Sequence, residues 1–195
     1  MATTGILFVI SAPSGAGKTT VARMVLDRIG AQHPITRIVT TTTRPTRPGE
    51  RDGIDYNFLS KDEFLAKKNK GFFLETNLYD GHWYGSPASI VTDLPQGKSL
   101  LIVTDRNGAR TLKKIIPSAV LIWIDVPDAA TVAQRLGNRE TQASATLQRR
   151  ITIASAEMEE ERHEKLFDHH VMNETLEKAV ADVASIIKKS YISPR

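Results

Sequence analysis

The chain has 195 residues, a formal net charge of +4 and no cysteine. That length supports one substantial core with an inserted subdomain, and the missing cysteine excludes disulfides, thiol catalysis and zinc–thiolate sites. No apolar stretch approaches the roughly 20 residues that cross a bilayer, and the N-terminus lacks the features of a secretory signal. We therefore expect a cytoplasmic protein without a membrane partner. We also expect no nucleic-acid partner, because no basic stripe with interleaved aromatic residues is present.

A short apolar run leads into a glycine-rich loop and then into an amphipathic helix. The run 5–10 has the length and composition of a buried strand. A helix is predicted over 21–29, because its apolar residues recur on one face. Between them, Gly15 and Gly17 allow the backbone to curl so that its N–H groups point at an anion. The helix N-terminus adds further donors and its positive dipole end, so this segment predicts a phosphate-binding loop.

The loop matches the pattern G-x-x-x-x-G-K-[ST] except at its first position, which is Ala12 here. A methyl group is tolerable there if the residue only turns the chain. Lys18 is placed to reach the β- and γ-phosphates of a nucleotide, and Thr19 offers a hydroxyl to Mg²⁺. The residues expected to bind the nucleotide are Ala12, Pro13, Ser14, Gly15, Ala16, Gly17, Lys18, Thr19 and Thr20.

Three further segments predict strands of the same sheet. The runs 98–105 and 119–126 are typical of buried strands, and 167–172 is a weaker example. A final helix is predicted over 176–187 from apolar residues at helical spacing. Strands that alternate with helices favour a parallel sheet covered on both faces. Ligands bind such sheets at the carboxyl ends of the strands, where the phosphate loop and Asp105 both fall.

The region 37–93 has a different composition. It is rich in Thr, Arg, Gly, Tyr and Asp, and its hydrophobic runs are short. We interpret it as a small mixed-β subdomain inserted into the α/β core. Within it, the capping box at 60–63 predicts the start of a short helix, and Ser86-Pro87 predicts the cap of another. A polar segment, 138–150, is the other candidate insertion.

A phosphate loop alone indicates only a nucleotide, but later motifs narrow the class. The chain has T-T-R-x-x-R-x-G-E at 42–50 and G-x-D-Y-x-F at 53–58, followed by Phe-Leu-Glu at 73–75 and Gly-His-Trp-Tyr-Gly-Ser at 81–86. In this order, and nearly end to end, the chain resembles guanylate kinases, which phosphorylate GMP with ATP. The resemblance implies the fold of a phosphate-loop nucleoside monophosphate kinase. That fold has a five-stranded parallel sheet core, an inserted mixed-β subdomain and a small lid.

The resemblance also implies how the chain divides. The core would comprise 1–36, 94–137 and 151–195, the GMP-binding subdomain 37–93 and the lid 138–150. By the same analogy, the subdomain and the lid close over the substrates. Closure excludes water, which matters because an open kinase hydrolyses ATP.

Within the implied acceptor site, Arg44 and Arg47 clamp the monophosphate, since a guanidinium fork matches phosphate oxygens. Two tyrosine hydroxyls donate to the same phosphate. Glu75 accepts hydrogen bonds from guanine N1–H and the 2-amino group, and Ser86, with Thr40, donates to the guanine carbonyl oxygen. Adenine presents the opposite pattern, and polar sites of this kind discriminate by about 10⁴-fold or more. The residues implied to bind GMP are Thr40, Arg44, Arg47, Tyr56, Glu75, Tyr84, Ser86 and Asp105.

The residues implied to act in catalysis are Lys18, Arg47, Arg139 and Arg150. Arginines from the lid neutralise the migrating phosphoryl group, so catalysis rests on positioning and charge stabilisation. Arg149, adjacent to Arg150, is an alternative for the same role. On the donor side, Asn173 is expected to contact the adenine of ATP, and Thr19 is expected to bind Mg²⁺, the cofactor that the resemblance implies.

The chain departs from the family pattern around Asp105. Where the family commonly has acidic-x-Asp-x-Gln-Gly, this chain has Val103, Arg106 and Asn107, while Asp105 itself is retained. The departure puts in doubt one carboxylate that would help hold the acceptor nucleoside or the hydrated magnesium ion.

Two alternatives therefore stay open. One is a kinase for another phosphorylated acceptor, such as ribose 1,5-bisphosphate, which the retained Glu75 and Ser86 disfavour. The other is a non-catalytic guanylate-kinase-like module that binds proteins, which the retained Lys18 and Thr19 disfavour. The expected partners are ATP and GMP or dGMP, and a homodimer is compatible with the sequence.

Overall fold

The computed structural model describes residues 4–137 and 144–192. The strands are β1 (Leu7–Ser11), β2 (Ile35–Arg37), β3 (Thr41–Thr42), β4 (Asn57–Phe58), β5 (Phe73–Tyr79), β6 (His82–Pro87), β7 (Ser99–Val103), β8 (Val120–Asp125) and β9 (His169–Met172). The helices are α1 (Lys18–Ile29), α2 (Lys61–Asn69), α3 (Ile90–Asp93), α4 (Arg106–Ile115), α5 (Ala129–Gly137), α6 (Ser144–Glu164) and α7 (Leu176–Ile192). None of these described helices is long and apolar enough to span a bilayer.

Five strands form one sheet in the order β2-β7-β1-β8-β9, and the pairs β2–β7 and β8–β9 are parallel. Four of the five correspond to runs that the sequence predicts, and the predicted α/β fold with a five-stranded parallel sheet is confirmed. Strand β2 has no counterpart among those runs. It is only three residues long, with half-buried ends and an exposed centre, so it shows no continuous apolar pattern.

By residue contacts, the chain divides into two units. The first unit comprises Met1–Phe8 and Pro34–Ala119, and the second comprises Val9–His33 and Val120–Arg195. The first unit contains the region that we interpret as an inserted subdomain, and the second contains the phosphate loop.

A four-stranded mixed sheet, in the order β4-β3-β6-β5, lies in the first unit and confirms the predicted mixed-β region. Strand β3 is parallel to β4 and antiparallel to β6, and β5 and β6 form an antiparallel hairpin. The register pairs Glu75 with Ser86 and Asn77 with Tyr84. Side chains of directly paired and alternate residues share one face of a sheet. These four side chains therefore lie on the same face.

Helix α2 begins at a capping box, as the sequence predicts. The Glu63 amide donates to the Ser60 hydroxyl at 3.3 Å, and the Ser60 amide donates to the Glu63 carboxylate at 2.8 Å. The fully buried ring of Phe64 stacks on Phe73 and Trp83, with centroids 4.5 and 6.0 Å apart. The short helix is thus attached to the β5–β6 hairpin by aromatic packing.

The helix cap predicted at Ser86-Pro87 is wrong. Both residues belong to β6, where Ser86 pairs with Glu75 and Pro87 pairs with Phe73. Strand pairing prevails over the local capping preference, because the Ser86 hydroxyl is bound by the Glu75 carboxylate. The adjacent Gly85 is also required by packing, since a Cβ atom there would lie 2.7 Å from the Phe73 ring.

In the second unit, β8 and β9 pair from Ile122–His169 to Asp125–Met172, and α1 packs against α7. The buried rings of Trp123 and Phe167 contact at a centroid distance of 5.0 Å. The apolar face predicted for the last helix is present, with Val180, Val183 and Ile187 among its buried residues. This core supports the loop between β1 and α1.

Candidate active site

The glycine-rich loop of the second unit joins β1 to α1. Gly15 and Gly17 have left-handed backbone, with φ of 83° and 87°, which glycine adopts without strain. The Ala16 amide donates to the Pro13 carbonyl at 3.1 Å and closes the turn. Gly17 precedes Lys18, the first residue of α1. The loop therefore has the curled form and the adjoining helix N-terminus that favour phosphate binding.

Two cationic side chains lie against this loop. Lys18 folds back over it, and its Nζ donates to the Ala12 carbonyl at 3.2 Å. Arg150 of α6 donates from Nε and Nη2 to the Ser14 hydroxyl at 3.3 and 3.1 Å. The structure thus brings a predicted catalytic arginine to the predicted nucleotide-binding loop. Together the two cations supply the positive charge that a polyphosphate requires.

Asn173 holds the same loop from the end of β9. Its Nδ2 donates to the Ala16 carbonyl at 2.8 Å, and its backbone amide donates to the Asp125 carbonyl at 2.9 Å. Its side chain is buried, and a Cβ atom on Gly17 would lie 3.3 Å from Nδ2. Asn173 therefore stabilises the loop conformation. Its contact with adenine stays a prediction.

In the first unit, Arg44 is fixed by Glu50. Its Nη2 donates to Glu50 Oε1 at 2.8 Å, and its Nη1 donates to the Pro45 carbonyl at 2.6 Å. The other carboxylate oxygen of Glu50 accepts from the Arg47 amide at 2.9 Å. Burial on its own lowers the pKa of Arg44, but the hydrogen bond to Glu50 and the nearby acidic groups outweigh it and raise that pKa. The guanidinium is therefore buried, charged and held in one orientation.

Aromatic side chains surround this guanidinium. The Arg44 Cζ lies 5.4 Å from the ring centroid of Tyr56 and 5.7 Å from that of Phe58. Tyr84 contacts Tyr56 edge to face, with centroids 6.1 Å apart. Burial raises the pKa of Tyr56 to about 12, so its hydroxyl keeps its proton and remains a donor. The structure thus brings together three of the side chains predicted to bind the acceptor phosphate.

Glu75 and Ser86 face each other across β5 and β6, and both are buried. The Ser86 hydroxyl donates to Glu75 Oε1 at 2.5 Å, whereas the buried Oε2 has no hydrogen-bond partner among the described residues. Burial raises the pKa of Glu75 to about 7; the hydrogen bond from Ser86 opposes this shift and the charge of Asp105 adds to it. A buried acceptor without a donor is costly. The site is therefore suited to a ligand that supplies N–H groups.

Asp105 lies between β7 and α4, which it caps. Its Oδ1 accepts from the Gly108 amide at 2.9 Å, and its Oδ2 accepts from Asn77 Nδ2 at 2.6 Å. Asn77 follows Glu75 by two positions on β5, so both side chains lie on one face. The structure therefore places the predicted Asp105 next to the strand that carries Glu75, even though Val103 has replaced the neighbouring acidic residue.

Similarity to known proteins decides the family. A model of the guanylate kinase family matches residues 5–190. The chain belongs to the guanylate kinase family. A guanylate kinase of Methylobacillus flagellatus is 38% identical over 96% of this chain and 91% of its own. One of Lactobacillus acidophilus is 37% identical over 99% and 93%. The crystal structure of guanylate kinase from Anaplasma phagocytophilum, at 27% identity, covers 98% of this chain and 89% of its own with a TM-score of 0.80.

The family inferred from the sequence motifs is thus confirmed, and with it the prediction that the chain is an ATP-using enzyme. Most predicted guanylate kinase site residues lie within the described chain and fall into two groups. The phosphate loop, Arg150 and Asn173 belong to the second unit, whereas Thr40 to Asp105 belong to the first. Arg139 lies outside the described residues, as does the first part of the predicted lid, 138–143.

The sequence motifs assign no role to three residues of these sites. Glu50 orients Arg44, and the final position of the R-x-x-R-x-G-E motif was a signal for it. Arg37 donates to the carbonyls of Ile54 and Asp55 at 2.9 and 3.2 Å, directly before Tyr56. Asn77 binds Asp105. Neither Arg37 nor Asn77 belongs to a recognisable motif, so only the folded arrangement identifies them.

Proposed function

We propose that the chain transfers the γ-phosphoryl group of ATP to GMP, and to dGMP, to form GDP or dGDP. The observation that carries the proposal is the buried Glu75 carboxylate, which has one oxygen without a partner among the described residues and lies in the same unit as the Arg44 cluster. The Glu75 carboxylate matches the donor edge of guanine, and the Arg44 cluster matches a monophosphate. Membership of the guanylate kinase family supports the same reaction.

Guanine presents N1–H and a 2-amino group side by side, and both are donors. An ionised Glu75 accepts from them through its two oxygens, of which Oε2 lacks a partner in the described chain. Adenine carries an acceptor at N1 and no 2-amino group, so it would leave the carboxylate unpaired. Sites built on such pairing discriminate by about 10⁴-fold or more, which accounts for selection of GMP over AMP.

Ser86 has one hydroxyl proton, which it donates in a hydrogen bond to the Glu75 carboxylate. The proposed donation from Ser86 to the guanine carbonyl oxygen therefore requires this hydroxyl to rotate when GMP binds. N–H groups of guanine then replace it at the carboxylate. Buried Thr40 is the second proposed donor to the same carbonyl oxygen. The exchange keeps both the Glu75 carboxylate and the Ser86 hydroxyl paired in the complex.

The phosphate end of GMP is assigned to Arg44, Arg47, Tyr56 and Tyr84. Arg44 is already held in place by Glu50 and two aromatic rings, so little side-chain entropy is lost when phosphate binds. Arg47 is exposed and follows three residues later in the same loop. We assign it to contact the phosphate and then to stabilise charge during transfer.

On the donor side, the loop amides, Lys18 and Arg150 hold the phosphates of ATP, and Arg139 is proposed to join them. A phosphate oxygen of GMP attacks the γ-phosphorus, the bond from that phosphorus to the β–γ bridging oxygen breaks, and ADP leaves. Mg²⁺ neutralises phosphate charge in such reactions. The Thr19 hydroxyl, an oxygen donor next to Lys18 at the start of α1, fits the preference of this ion and would hold it.

The division into a core, a GMP-binding subdomain at 37–93 and a lid at 138–150 that closes over the substrates remains part of the proposal. A cytoplasmic location, where ATP and GMP are both available, is also proposed. A homodimer is a further prediction, which light scattering of the purified chain would decide.

The proposal is tested by following ADP release from ATP·Mg²⁺ with GMP, dGMP, AMP, CMP, UMP and ribose 1,5-bisphosphate. Turnover is expected with GMP and dGMP only, and Lys18→Ala and Arg47→Ala should abolish it. Glu177→Gln, which changes an exposed residue of α7, is the control and should behave as wild type. Turnover with ribose 1,5-bisphosphate, or GMP binding without any turnover, would contradict the proposal and favour one of the two alternatives.

A further inference from the structure

We infer that Asn77 is a positioning residue, which holds the Asp105 carboxylate where it accepts a hydrogen bond from the 2-amino group of guanine. Asn77 thereby sets discrimination against 6-oxopurine monophosphates that lack a 2-amino group. IMP is such a nucleotide. The inference rests on the proposed function, since it assigns a specificity role within the same acceptor site. It concerns a residue that no motif of the sequence identifies.

The Asp105 carboxylate is held at both oxygens. Asn77 Nδ2 reaches Oδ2 from β5 at 2.6 Å, and the Gly108 amide reaches Oδ1 from the first turn of α4 at 2.9 Å. The start of α4 is itself tightly packed, because a Cβ atom on Gly108 would lie 2.2 Å from Thr104 Oγ1. The carboxylate thus has one fixed support on the helix, and Asn77 provides the second from the strand.

The strand that carries Asn77 also carries Glu75. The two residues are separated by one position, so their side chains lie on the same face of β5. The charge of Asp105 is one of the causes that raise the pKa of Glu75, which places the two carboxylates within electrostatic range. Asn77 therefore connects the second carboxylate of the site to the strand that presents the first.

Guanine offers three protons at this edge, one on N1 and two on the 2-amino group. Glu75 offers two carboxylate oxygens: Oε2, which has no partner in the described chain, and Oε1, which the Ser86 hydroxyl releases when it turns to the guanine carbonyl oxygen. These two oxygens accept from N1–H and from the inner proton of the amino group. The outer proton of the amino group consequently needs another acceptor. Asp105 supplies it, because a carboxylate oxygen that accepts from Asn77 still has a free lone pair.

An amide at position 77 suits this role chemically. Its Nδ2 group donates without adding charge, so the attraction of the Asp105 carboxylate for the amino group is not cancelled by a cation. An alanine would leave Oδ2 without this donor, and an aspartate of the same shape would repel it. In either variant the carboxylate keeps only its support at Gly108.

The experiment measures binding of GMP and of IMP by calorimetry, and kcat and KM for both with ATP·Mg²⁺, in wild type, Asn77→Ala and Asn77→Asp. A charge-assisted hydrogen bond that is lost in the complex corresponds to about a tenfold weaker affinity or more. We expect both variants to bind GMP about tenfold more weakly and to bind IMP unchanged. The KM for GMP should rise with little change in kcat, as for an interaction present in the ground state.

A second background separates positioning from general damage. Asp105→Asn keeps the helix cap, since asparagine caps as well as aspartate, but removes the acidic acceptor. Adding Asn77→Ala to it should leave the GMP-to-IMP ratio unchanged. Leu78→Ala is the matched control, because this neighbouring side chain on β5 is 55% exposed.

Two results would each overturn the inference. The first is that the Asn77 variants bind GMP and IMP equally more weakly, or otherwise leave the GMP-to-IMP affinity ratio unchanged. The second is that Asn77→Ala changes this ratio as much in the Asp105→Asn background as in wild type. The proposed function fails separately. If wild type binds GMP better than IMP but does not phosphorylate it, the reaction is wrong, while the binding ratios of the variants still decide the role of Asn77. A wild type without preference for GMP over IMP refutes the inference directly.

Discussion

Replacing Glu75 by glutamine is expected to remove a pH-dependent loss of stability that the acceptor site imposes on the fold. Glu75 is 7% exposed, and its ionised form is disfavoured chiefly by burial, with a further contribution from Asp105. Only Ser86 favours the charged form. In the proposed function this carboxylate recognises the ligand, and its burial destabilises the unliganded protein.

The magnitude follows from the shift of the pKa, from an ordinary 4.5 to about 7. Each pH unit corresponds to about 1.4 kcal/mol. Below pH 4.5 the carboxyl is protonated in both the folded and the unfolded chain, and its contribution to stability is fully present. As pH rises towards 7 the unfolded chain loses this proton first, so the folded state is progressively destabilised. Between pH 5 and pH 8 the expected loss is about 2 to 3 kcal/mol.

The assay is urea unfolding of wild type and Glu75→Gln at pH 5, 6, 7 and 8 without nucleotide. The difference in unfolding free energy between the two proteins should shift by about 2 to 3 kcal/mol in favour of the variant as pH rises. A constant packing difference between the two side chains does not affect this change with pH. Glu177→Gln, at an exposed position, should follow wild type. A pH-independent difference between wild type and Glu75→Gln would refute the reasoning.

Three further predictions concern the acceptor unit. The KM for GMP should fall about tenfold between pH 6 and pH 8, because only ionised Glu75 accepts from both guanine donors and its pKa is about 7. Initial-rate measurements test this, and an equal change in the KM for ATP would contradict it. Arg44→Lys keeps the charge but loses the guanidinium fork, which binds Glu50 and is proposed to bind the phosphate of GMP. The kcat/KM for GMP should therefore fall by about tenfold or more; unaltered steady-state kinetics would show that the fork is not used. Gly85→Ala should destabilise the chain by about 1 to 3 kcal/mol, since its Cβ would lie 2.7 Å from the Phe73 ring; thermal unfolding tests this, and an unchanged midpoint would disprove the packing argument.

Much of the fold could be predicted because its signals are local. The apolar runs that became β1, β7 and β8 are continuous and fully buried along most of their length, and the Ser60–Glu63 box defines its helix within four residues of sequence. Strand β2 and the end of β6 were not predictable in this way. Both depend on pairing with distant strands, and at Ser86 the partner Glu75 is eleven positions away.

The site shows the same limit. The phosphate-loop residues are contiguous, so their spacing indicates phosphate binding. The arginine motif is contiguous too, and its role is implied by the resemblance to guanylate kinases. Asn77 and Asp105 are 28 positions apart, and their hydrogen bond forms only because α4 packs against β5. The hydrogen bond from Ser86 to Glu75 likewise depends on the register of two strands. A sequence pattern indicates which groups a ligand needs, but it does not show which of them already bind one another.

The most direct test of the central claim is the ratio of kcat/KM for GMP to that for AMP, measured in wild type and in Glu75→Gln. If recognition of guanine at Glu75 governs phosphorylation, the ratio should be about 10⁴ or more in wild type. The variant should lose most of this preference for GMP. Comparable use of AMP by wild type, or an undiminished preference for GMP in Glu75→Gln, would contradict the claim.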